Sequence, residues 1–517
     1  MRKRNLFVAL SAVVSIALIA SACGSTAPKK ATGPKAGGTL TVLAVASQWP
    51  GLDPASDTQD TADAAYLNAI FGQLFELTST NQIVPDQATK WSLTNNNTVL
   101  HFTMRSGLKF SNGDPLTAAD VAWSINRDLE PKWGNIGDSN FPFTAAGCSA
   151  SGAVVTCPMK SPDVAIVPAF INEAPNWTVD EAALNAMGAS PYAQRPIGAG
   201  PFKVASNTAS AELNLVKNAK YWQPGHPYLA GLKFTVVGTD QSAVSALQAG
   251  QGQLAMGVTT IPTLKSLSAG NTLKVTKLPA MVTEFINLNT RRGPFANLNA
   301  RLAVQYATNA KALVKGLYGG EYTTVQSQTG PGQLFYTATN KYFRPYNLAK
   351  AKALVAAIPG GLTVSLSTTT NTAFFINEVQ AITTMWEAAG IKVNIQDYSL
   401  QQMLGITFSG SWQAIDENWG VSVDPGVNDS EFFDKSAVFA GNDDTTLQTL
   451  LLSGLSTSDN ATRAKIYTEI GNLENQKAYA VFMYAKNAFL VQTKNLDSTN
   501  DFTSNQFAIR WQNMSIS

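Results

Sequence analysis

The sequence has 517 residues and a formal net charge of +2; 45% of its residues are apolar and 14% are charged. This length and composition indicate two or three domains with well-filled cores. A charge so close to zero provides no basic field for nucleic acid, and we expect no nucleic-acid partner.

The amino terminus has the pattern of an export signal. Three basic residues at 2–4 precede the apolar stretch 6–20, and small residues lead into Cys23. We therefore predict a signal peptide over 1–22. The arrangement resembles a bacterial lipoprotein signal, in which the cysteine thiol receives a lipid. The alternatives are an ordinary secretory signal and a membrane-spanning helix, and the serines of the apolar stretch argue against the helix.

The folded part begins after a flexible segment. Residues 23–37 contain too little apolar surface to pack, and we predict that they form a tether. The apolar pattern then predicts a strand over 39–46 and a helix over 64–77. Trp49 lies in the loop after this strand and is a candidate for contacting a ligand.

The stretch 100–121 predicts a strand, a turn and a helix. Its first part alternates apolar and polar residues, which is typical of a strand with one buried face. The sequence Ser-Asn-Gly-Asp-Pro at 111–115 predicts a turn, and Thr117 with Asp120 predicts a capping box that opens a helix.

This stretch resembles the signature of the family 5 extracellular solute-binding proteins, the binding components of peptide-type and nickel-type ABC importers. The residues that carry the resemblance are Trp91, Ser92, Arg105, Gly107, Phe110, Gly113, Pro115, Ala118, Asp120 and Val121. Asn112 stands where an aspartate is more usual, and either residue suits a turn. Stretches at 198–202, 218–222 and 228–232 follow in the family's usual order, so the resemblance covers nearly the whole chain.

The resemblance implies an α/β fold with two lobes and a ligand cleft between them. It is the type II fold of periplasmic binding proteins, in the enlarged form with an extra subdomain in the amino-terminal lobe. We predict that the first lobe contains residues 38–286 and 490–517, with the extra subdomain over about 80–195. The second lobe would contain residues 287–489.

The second half of the chain has the pattern of an α/β domain. A strand over 362–366, a helix over 375–389 and a strand over 391–395 predict a βαβ unit, and a helix over 461–476 follows. Asn287, near the end of a predicted strand, is a further ligand-binding candidate.

The stretch 415–425 supplies the other ligand-binding candidates. In peptide-binding relatives an aspartate shortly before the final Asp-Pro captures the α-ammonium of the peptide, but residues 420–423 contain no carboxylate. A buried ammonium without a counter-ion costs roughly several kcal/mol. Either Asp416 or Asp424 binds the ammonium in a different geometry, or the ligand is not an ordinary free-amine peptide, and we favour the second. Trp419 is a candidate for ligand contact, with core packing as the equal alternative.

Two cysteines remain if Cys23 carries the lipid. Cys148 and Cys157 are separated by a short stretch that suits a hairpin. Because an exported domain lies in an oxidising compartment, we predict a disulfide between them that stabilises this hairpin locally.

The common catalytic motifs are missing. The sequence contains no GxSxG, HExxH, GxxxxGK[ST] or CxxC pattern, and strand and turn positions explain its two histidines, His101 and His226. We therefore expect no enzymatic activity and no cofactor. We also expect no metal site, because imidazole and thiolate ligands are scarce. A hydrolase with two carboxylates is the remaining enzymatic alternative, since such pairs leave no sequence pattern.

The resemblance implies a lipid-anchored substrate-binding protein of an ABC importer. It would be a monomer at the outer face of the bacterial cytoplasmic membrane, capturing an oligopeptide-like or oligosaccharide-like solute by lobe closure for the permease subunits. The alternative is a receptor or scaffold on the same fold that senses its ligand without import. An exported hydrolase is the third hypothesis.

Overall fold

The computed structural model describes residues 34–45, 51–56, 63–133, 141–270, 272–369, 373–419, 422–437, 439–498, 501–503 and 508–517. Within these ranges the strands form two main sheets, a smaller four-stranded sheet and two short pairs. The short pairs join Phe75–Leu77 with Ile83–Pro85 and Leu496–Asp497 with Ser515–Ile516. The predictions for the signal peptide, for Cys23 and for Trp49 concern residues outside the described ranges.

A seven-stranded sheet forms the centre of the first lobe. Its strand order is Lys274–Lys277, Phe489–Gln492, Leu254–Met256, Thr39–Val45, Gly231–Val237, Glu212–Lys217 and Phe202–Thr208. The predicted first strand is confirmed, and it runs parallel to both of its neighbours. The helix Asp63–Phe71 packs against one face of this sheet.

The helix after the first strand is shorter than predicted. It spans Asp63–Phe71, and Phe75–Leu77 form a strand instead of its last turn. Gly72 has a φ of +69°, in the left-handed region where glycine ends helices. The side-chain amide of Gln87 donates to the last helical carbonyl at 2.8 Å. The prediction of a helix over 64–77 was wrong because the apolar pattern continues across this break.

The four-stranded sheet contains the predicted signature strand. Its strand order is Ala88–Thr94, Val99–Met104, Val154–Pro158 and Ser149–Ser151. The last two strands form a hairpin. Cys148 and Cys157 form a disulfide across this hairpin, with their Cα atoms 4.1 Å apart.

The signature residues make contacts within the first lobe. The backbone N–H of Asp120 donates to the Thr117 hydroxyl at 3.4 Å, and the N–H of Thr117 donates to the Asp120 carboxylate at 2.7 Å, so the predicted capping box is confirmed. The guanidinium of Arg105 donates to the Asp86 carbonyl at 3.0 Å and lies 3.8 Å from the ring centre of Trp222. These signature residues therefore stabilise the fold.

A six-stranded sheet forms the centre of the second lobe. Its strand order is Thr323–Thr324, Ala480–Lys486, Val282–Leu288, Ala414–Trp419, Leu362–Thr369 and Ile391–Tyr398. The predicted βαβ unit is confirmed, because Leu362–Thr369 and Ile391–Tyr398 pair in parallel and the helix Ala373–Ala388 connects them.

The chain crosses between the two main sheets twice. It passes to the six-stranded sheet between Lys277 and Val282 and returns between Lys486 and Phe489. The two strands next to these crossings in the six-stranded sheet pair side by side. The predicted lobe boundary at 286/287 lies within the first of them, a strand that pairs only within the six-stranded sheet.

The helices cover the faces of these sheets. The described α-helices are Asp63–Phe71, Ala118–Asp128, Ile166–Phe170, Glu181–Met187, Ala189–Gln194, Asp240–Gln248, Ile261–Gly270, Leu298–Ala307, Ala310–Tyr318, Leu348–Ala356, Ala373–Ala388, Leu400–Phe408, Pro425–Phe433, Thr445–Ser456 and Asn460–Lys477. Short 3₁₀-helices lie at Pro54–Ser56, Pro131–Trp133, Ala174–Asn176, Pro294–Ala296 and Trp511–Asn513. In the part of the chain that the structure describes, no helix combines the length and apolarity needed to span a bilayer.

We expect the substitution Thr117→Ala to lower the free energy of unfolding by about 1 kcal/mol, because it removes the side-chain cap of the signature helix. Urea unfolding measures this change. Thr449→Ala is the matched control, since Thr449 is exposed within the helix Thr445–Ser456 and caps nothing. Equal losses in both variants would contradict a capping role for Thr117.

Candidate functional site

The two lobes touch each other away from the crossings. The side-chain amide of Asn97, in the first lobe, donates to the Ser456 carbonyl of the second lobe at 2.9 Å. The backbone N–H of Val164 donates to the Leu455 carbonyl at 2.8 Å. We call these two contacts the rim contacts. They bring the first lobe, near its small sheet, against the carboxyl end of the helix Thr445–Ser456 of the second lobe.

A buried aspartate lies beside the rim contacts. Asp163 accepts a hydrogen bond from the backbone N–H of Ala165 at 2.7 Å, and its side chain is 7% exposed. Burial is the main cause that raises the pKa of Asp163 to about 7; the charge of Asp424 contributes to the increase, while the N–H of Ala165 and the charge of Arg463 oppose it. This carboxyl of the first lobe therefore experiences the charges of two residues in the second lobe.

Asp424, a predicted ligand-binding residue, forms an internal ion pair. Its two carboxylate oxygens accept hydrogen bonds from the guanidinium of Arg463 at 2.7 and 2.8 Å. The Asp424 carboxylate also accepts from the N–H of Gly426 at 2.9 Å and so caps the following helix. With 2% of its side chain exposed, Asp424 has a structural role. Its ligand-binding role stays a prediction, against which this pairing argues.

Asp416, the other predicted carboxylate, belongs to a group of three buried acidic side chains. Oxygen atoms of Glu284, Glu378 and Asp416 all lie within 4.8 Å of one another, and we call this group the acidic cluster. Glu284 lies in the strand Val282–Leu288 and Glu378 in the helix Ala373–Ala388. Asp416 lies in the strand Ala414–Trp419. Carboxylates so close together repel one another unless protons or cations balance their charge.

Neighbouring side chains balance only part of the negative charge of the acidic cluster and only some of its hydrogen-bond acceptors. Lys486 forms an ion pair with Glu284. The hydroxyls of Tyr484 and Tyr318 donate to one oxygen of Glu378 at 2.6 and 3.1 Å. One ammonium therefore faces three carboxyl groups.

Burial changes the protonation of the acidic cluster. It is the main cause that raises the pKa of Glu378 to about 8, and the charge of Glu284 contributes to this increase. Burial also raises the pKa of Asp416 well above its usual range, with further increases from Glu378 and Glu284. Neither carboxyl oxygen of Asp416 has a hydrogen-bond partner among the described residues.

Of the remaining predicted residues, the structure describes the side chain of Asn287. Asn287 is 1% exposed, and its side-chain amide donates to the Phe439 carbonyl at 2.8 Å, which is a packing role. Trp419 is the last residue of the strand Ala414–Trp419, and its side chain lies outside the description. The roles predicted for these two residues and for Trp49 stay predictions.

Sequence reasoning missed Glu284 and Glu378. Glu284 is the single acidic residue of the strand VTEFINL, and Glu378 lies in the first half of the helix AFFINEVQAITTMWEA, next to apolar residues. A lone carboxylate in such a setting is the available signal, because buried charges are rare without partners. The sequence alone did not show that both face Asp416.

A small polar cavity lies elsewhere in the second lobe. Gln328, Asp429 and Glu474 line it, and each has an oxygen without a hydrogen-bond partner in the described part of the chain. Burial raises the pKa of both carboxyls; the charge of Asp424 adds to the shift at Asp429, and that of Asp429 to the shift at Glu474. The polar side chains that line this cavity suit ordered water.

Comparison with known sequences identifies relatives of this chain. The sequence model of the bacterial extracellular solute-binding proteins, family 5 middle, matches residues 82–440. The glutathione-binding protein GsiB of Shigella boydii is 26% identical over 357 residues, which cover 68% of each chain. GsiB of Escherichia coli strain K12 matches with the same identity and coverage.

Comparison with solved structures shows the same fold. AgaA of A. tumefaciens R10 in complex with agropinic acid has a TM-score of 0.81 at 21% identity and covers 93% of this chain and 99% of its own. DppA of Helicobacter pylori in complex with the peptide STSA has a TM-score of 0.78 at 20% identity, covering 93% and 98%. AppA of Bacillus subtilis in complex with a nonapeptide has a TM-score of 0.77 at 18% identity, covering 94% and 100%. The predicted two-lobed α/β fold is confirmed.

We expect Asp163→Asn to stabilise the protein more at pH 8 than at pH 5. The folded state keeps a proton on Asp163 up to a pKa of about 7, whereas the unfolded value is near 3.8. The contribution of Asp163 to stability therefore falls as pH rises between these values, by at most about 1.4 kcal/mol per pH unit, and is level above pH 7. Asparagine does not titrate and escapes this loss.

Urea unfolding of both proteins at pH 5, 6, 7 and 8 measures this difference. The control is Asp397→Asn, which removes an exposed carboxylate from the strand Ile391–Tyr398 and should preserve the pH dependence of the parent protein. Parallel stability curves for Asp163→Asn and the parent would contradict the prediction.

Proposed function

The chain belongs to family 5 of the bacterial extracellular solute-binding proteins, and on that premise we propose that it is the lipid-anchored receptor of an ABC importer. Members of this family are extracytoplasmic binding proteins and not enzymes, so the hydrolase hypothesis is set aside. The solute would be captured between the lobes and passed to the permease subunits.

The rim contacts are the observation that supports this proposal best. They join the lobes at a distance in sequence from the two crossings, so the lobes can separate there while the crossings still connect them. A solute that touches both lobes favours the state in which these contacts are formed. Capture then needs no covalent step, and the permease recognises the closed state.

The proposed solute is peptide-like or another small polar molecule. The relatives named above bind glutathione, the peptide STSA, a nonapeptide and agropinic acid. In this chain residues 420–423 contain no carboxylate, and Asp424 is paired with Arg463. A free α-ammonium would therefore lack its usual partner here, which favours a solute with a blocked or absent amino group.

We further propose that the protein is a monomer attached to the outer face of the cytoplasmic membrane. The support is the sequence before Cys23, with its basic start, apolar stretch and small residues. A single lipidated cysteine followed by a polar tether would hold the lobes near the permease.

We expect N-acetylated peptides or oligosaccharides to raise the melting temperature of residues 38–517, and free-amine di- to hexapeptides to leave it unchanged. A solute that binds only the folded state stabilises it by about 2.7 kcal/mol at a hundredfold excess over its dissociation constant. A thermal shift caused by free-amine peptides and lost on acetylation would contradict the proposed solute class. Asp416 would then be the candidate partner of the peptide α-ammonium.

The same assay tests lobe closure. Asn97→Ala removes the rim contact to Ser456 and also the hydrogen bond from the Asn97 amide to the Ser458 hydroxyl at 3.1 Å. Since a hydrogen bond is worth about 1 kcal/mol, the affinity for an identified solute should fall by at least about fivefold. Asn394→Ala is the matched control, because Asn394 is exposed in the strand Ile391–Tyr398. An unchanged affinity in Asn97→Ala would mean that the rim contacts form without solute.

We expect Cys23→Ser to abolish membrane attachment. Serine cannot accept the thioether-linked lipid, so the variant should leave the membrane fraction and lose incorporation of labelled palmitate. Wild-type protein expressed in parallel is the reference. Labelling that persists in Cys23→Ser would contradict anchoring through this residue.

A further inference from the structure

Polar side chains form a row across four neighbouring strands of the six-stranded sheet. Continuing the parallel register places Thr368 beside Asp416. In the antiparallel pairings, Asp416 is diagonal to Glu284, and Glu284 lies opposite Tyr484. Side chains alternate between the two faces of a strand, so this row shares one face with the apolar core that the βαβ helix covers. Glu378 reaches the row from that helix.

Oxygen atoms of Glu284, Glu378, Asp416 and Thr368 have unused hydrogen-bonding capacity within the described part of the chain. The hydroxyl of Thr368 has no partner among the described residues, and its side chain is 1% exposed. Both oxygens of Asp416 are also without a partner in that part of the chain. Buried polar groups are nearly always paired, so these three oxygen atoms point to a bound group that is shared between them.

The charges around this row do not balance. Glu284, Glu378 and Asp416 carry three negative charges when ionised, and Lys486 supplies one positive charge in contact with them. A charge of +2 at the centre of the group would neutralise the remainder. Oxygen atoms within 4.8 Å of one another also fit around a single ion, since Ca²⁺ and Mg²⁺ bind oxygen at roughly 2.0 to 2.6 Å.

We propose that the acidic cluster, together with the Thr368 hydroxyl, binds one hard divalent cation such as Ca²⁺, Mg²⁺ or Mn²⁺. All of its donors are oxygen atoms, which these ions prefer. The proposal departs from the expectation of no metal site, which considered imidazole and thiolate ligands. It concerns the interior of the second lobe and does not depend on the identity of the transported solute.

The burial of the acidic cluster favours a metal ion as its bound group over an amino group of the solute. Glu284 and Glu378 are each 0% exposed, and Asp416 is 7% exposed. A small ion needs no opening wide enough for a side chain or a peptide end. The ion would tie the strand after the first crossing to the βαβ helix and to the strand Ala414–Trp419, and so brace the second lobe next to its connection with the first.

The first measurement uses the full-length protein, purified in mild detergent without chelators. Elemental analysis should find about one divalent cation per chain, or, after EDTA treatment and dialysis, Mn²⁺ should bind with that stoichiometry by electron paramagnetic resonance. CaCl₂, MgCl₂ or MnCl₂ should then raise the melting temperature of the EDTA-treated protein in a saturable way. These readouts need no variant.

Variants then locate the ion. Asp416→Asn and Glu378→Gln each remove a charged ligand and should weaken cation binding at least tenfold, and Thr368→Val should weaken it less. Glu417→Gln is the matched control, because Glu417 is a buried carboxyl in the same strand that points to the opposite face. It should bind the cation as the parent does.

Three results would count against the proposal. The first is a parent protein that binds none of the three ions and whose melting temperature does not respond to them; in that case protons balance the acidic cluster. The second is binding that persists unchanged in every folded variant of the row, which places the ion elsewhere. A thermal response to a primary amine such as spermidine that requires Asp416, without any response to the metal salts, would also count against it.

Discussion

The whole architecture depends on two chain crossings that lie next to each other. The strands Val282–Leu288 and Ala480–Lys486 pair directly, and each is joined within a few residues to the seven-stranded sheet of the first lobe. Because the two connections are neighbours in one sheet, the lobes can turn about them without breaking either core. The acidic cluster lies beside this connection, because Glu284 belongs to the strand Val282–Leu288.

The order of the regular elements was predictable from local patterns. The βαβ unit, the first strand and the capping box at Thr117 follow from periodicity and from short-range chemistry that a few neighbouring residues determine. The helix that ends at Gly72 was not predicted correctly, since its end depends on Gln87 and on a left-handed glycine. Contacts distant in sequence decide such boundaries.

The site residues were harder to predict from the sequence for the same physical reason, since contacts distant in sequence determine their environments. Asp424 has the pattern of a ligand-binding residue, but Arg463 in a distant helix pairs with both of its oxygens. Asp416 has the same pattern, yet its environment comes from Glu284 and Glu378, whose proximity only the assembled sheet and helix reveal. The charge state of a carboxyl is set by what surrounds it in space, and sequence spacing does not report this.

The rim contacts have a consequence for how this receptor can change over generations. Their acceptors, the carbonyls of Leu455 and Ser456, belong to the backbone, and one of the two donors is the backbone N–H of Val164. Backbone groups are present whatever the side chain is, so the contact between Val164 and Leu455 stays available when side chains change, and the other contact requires only that Asn97 is kept. Under the proposed closing motion, a lineage of such receptors can therefore acquire a new cargo while the permease continues to meet the same closed surface.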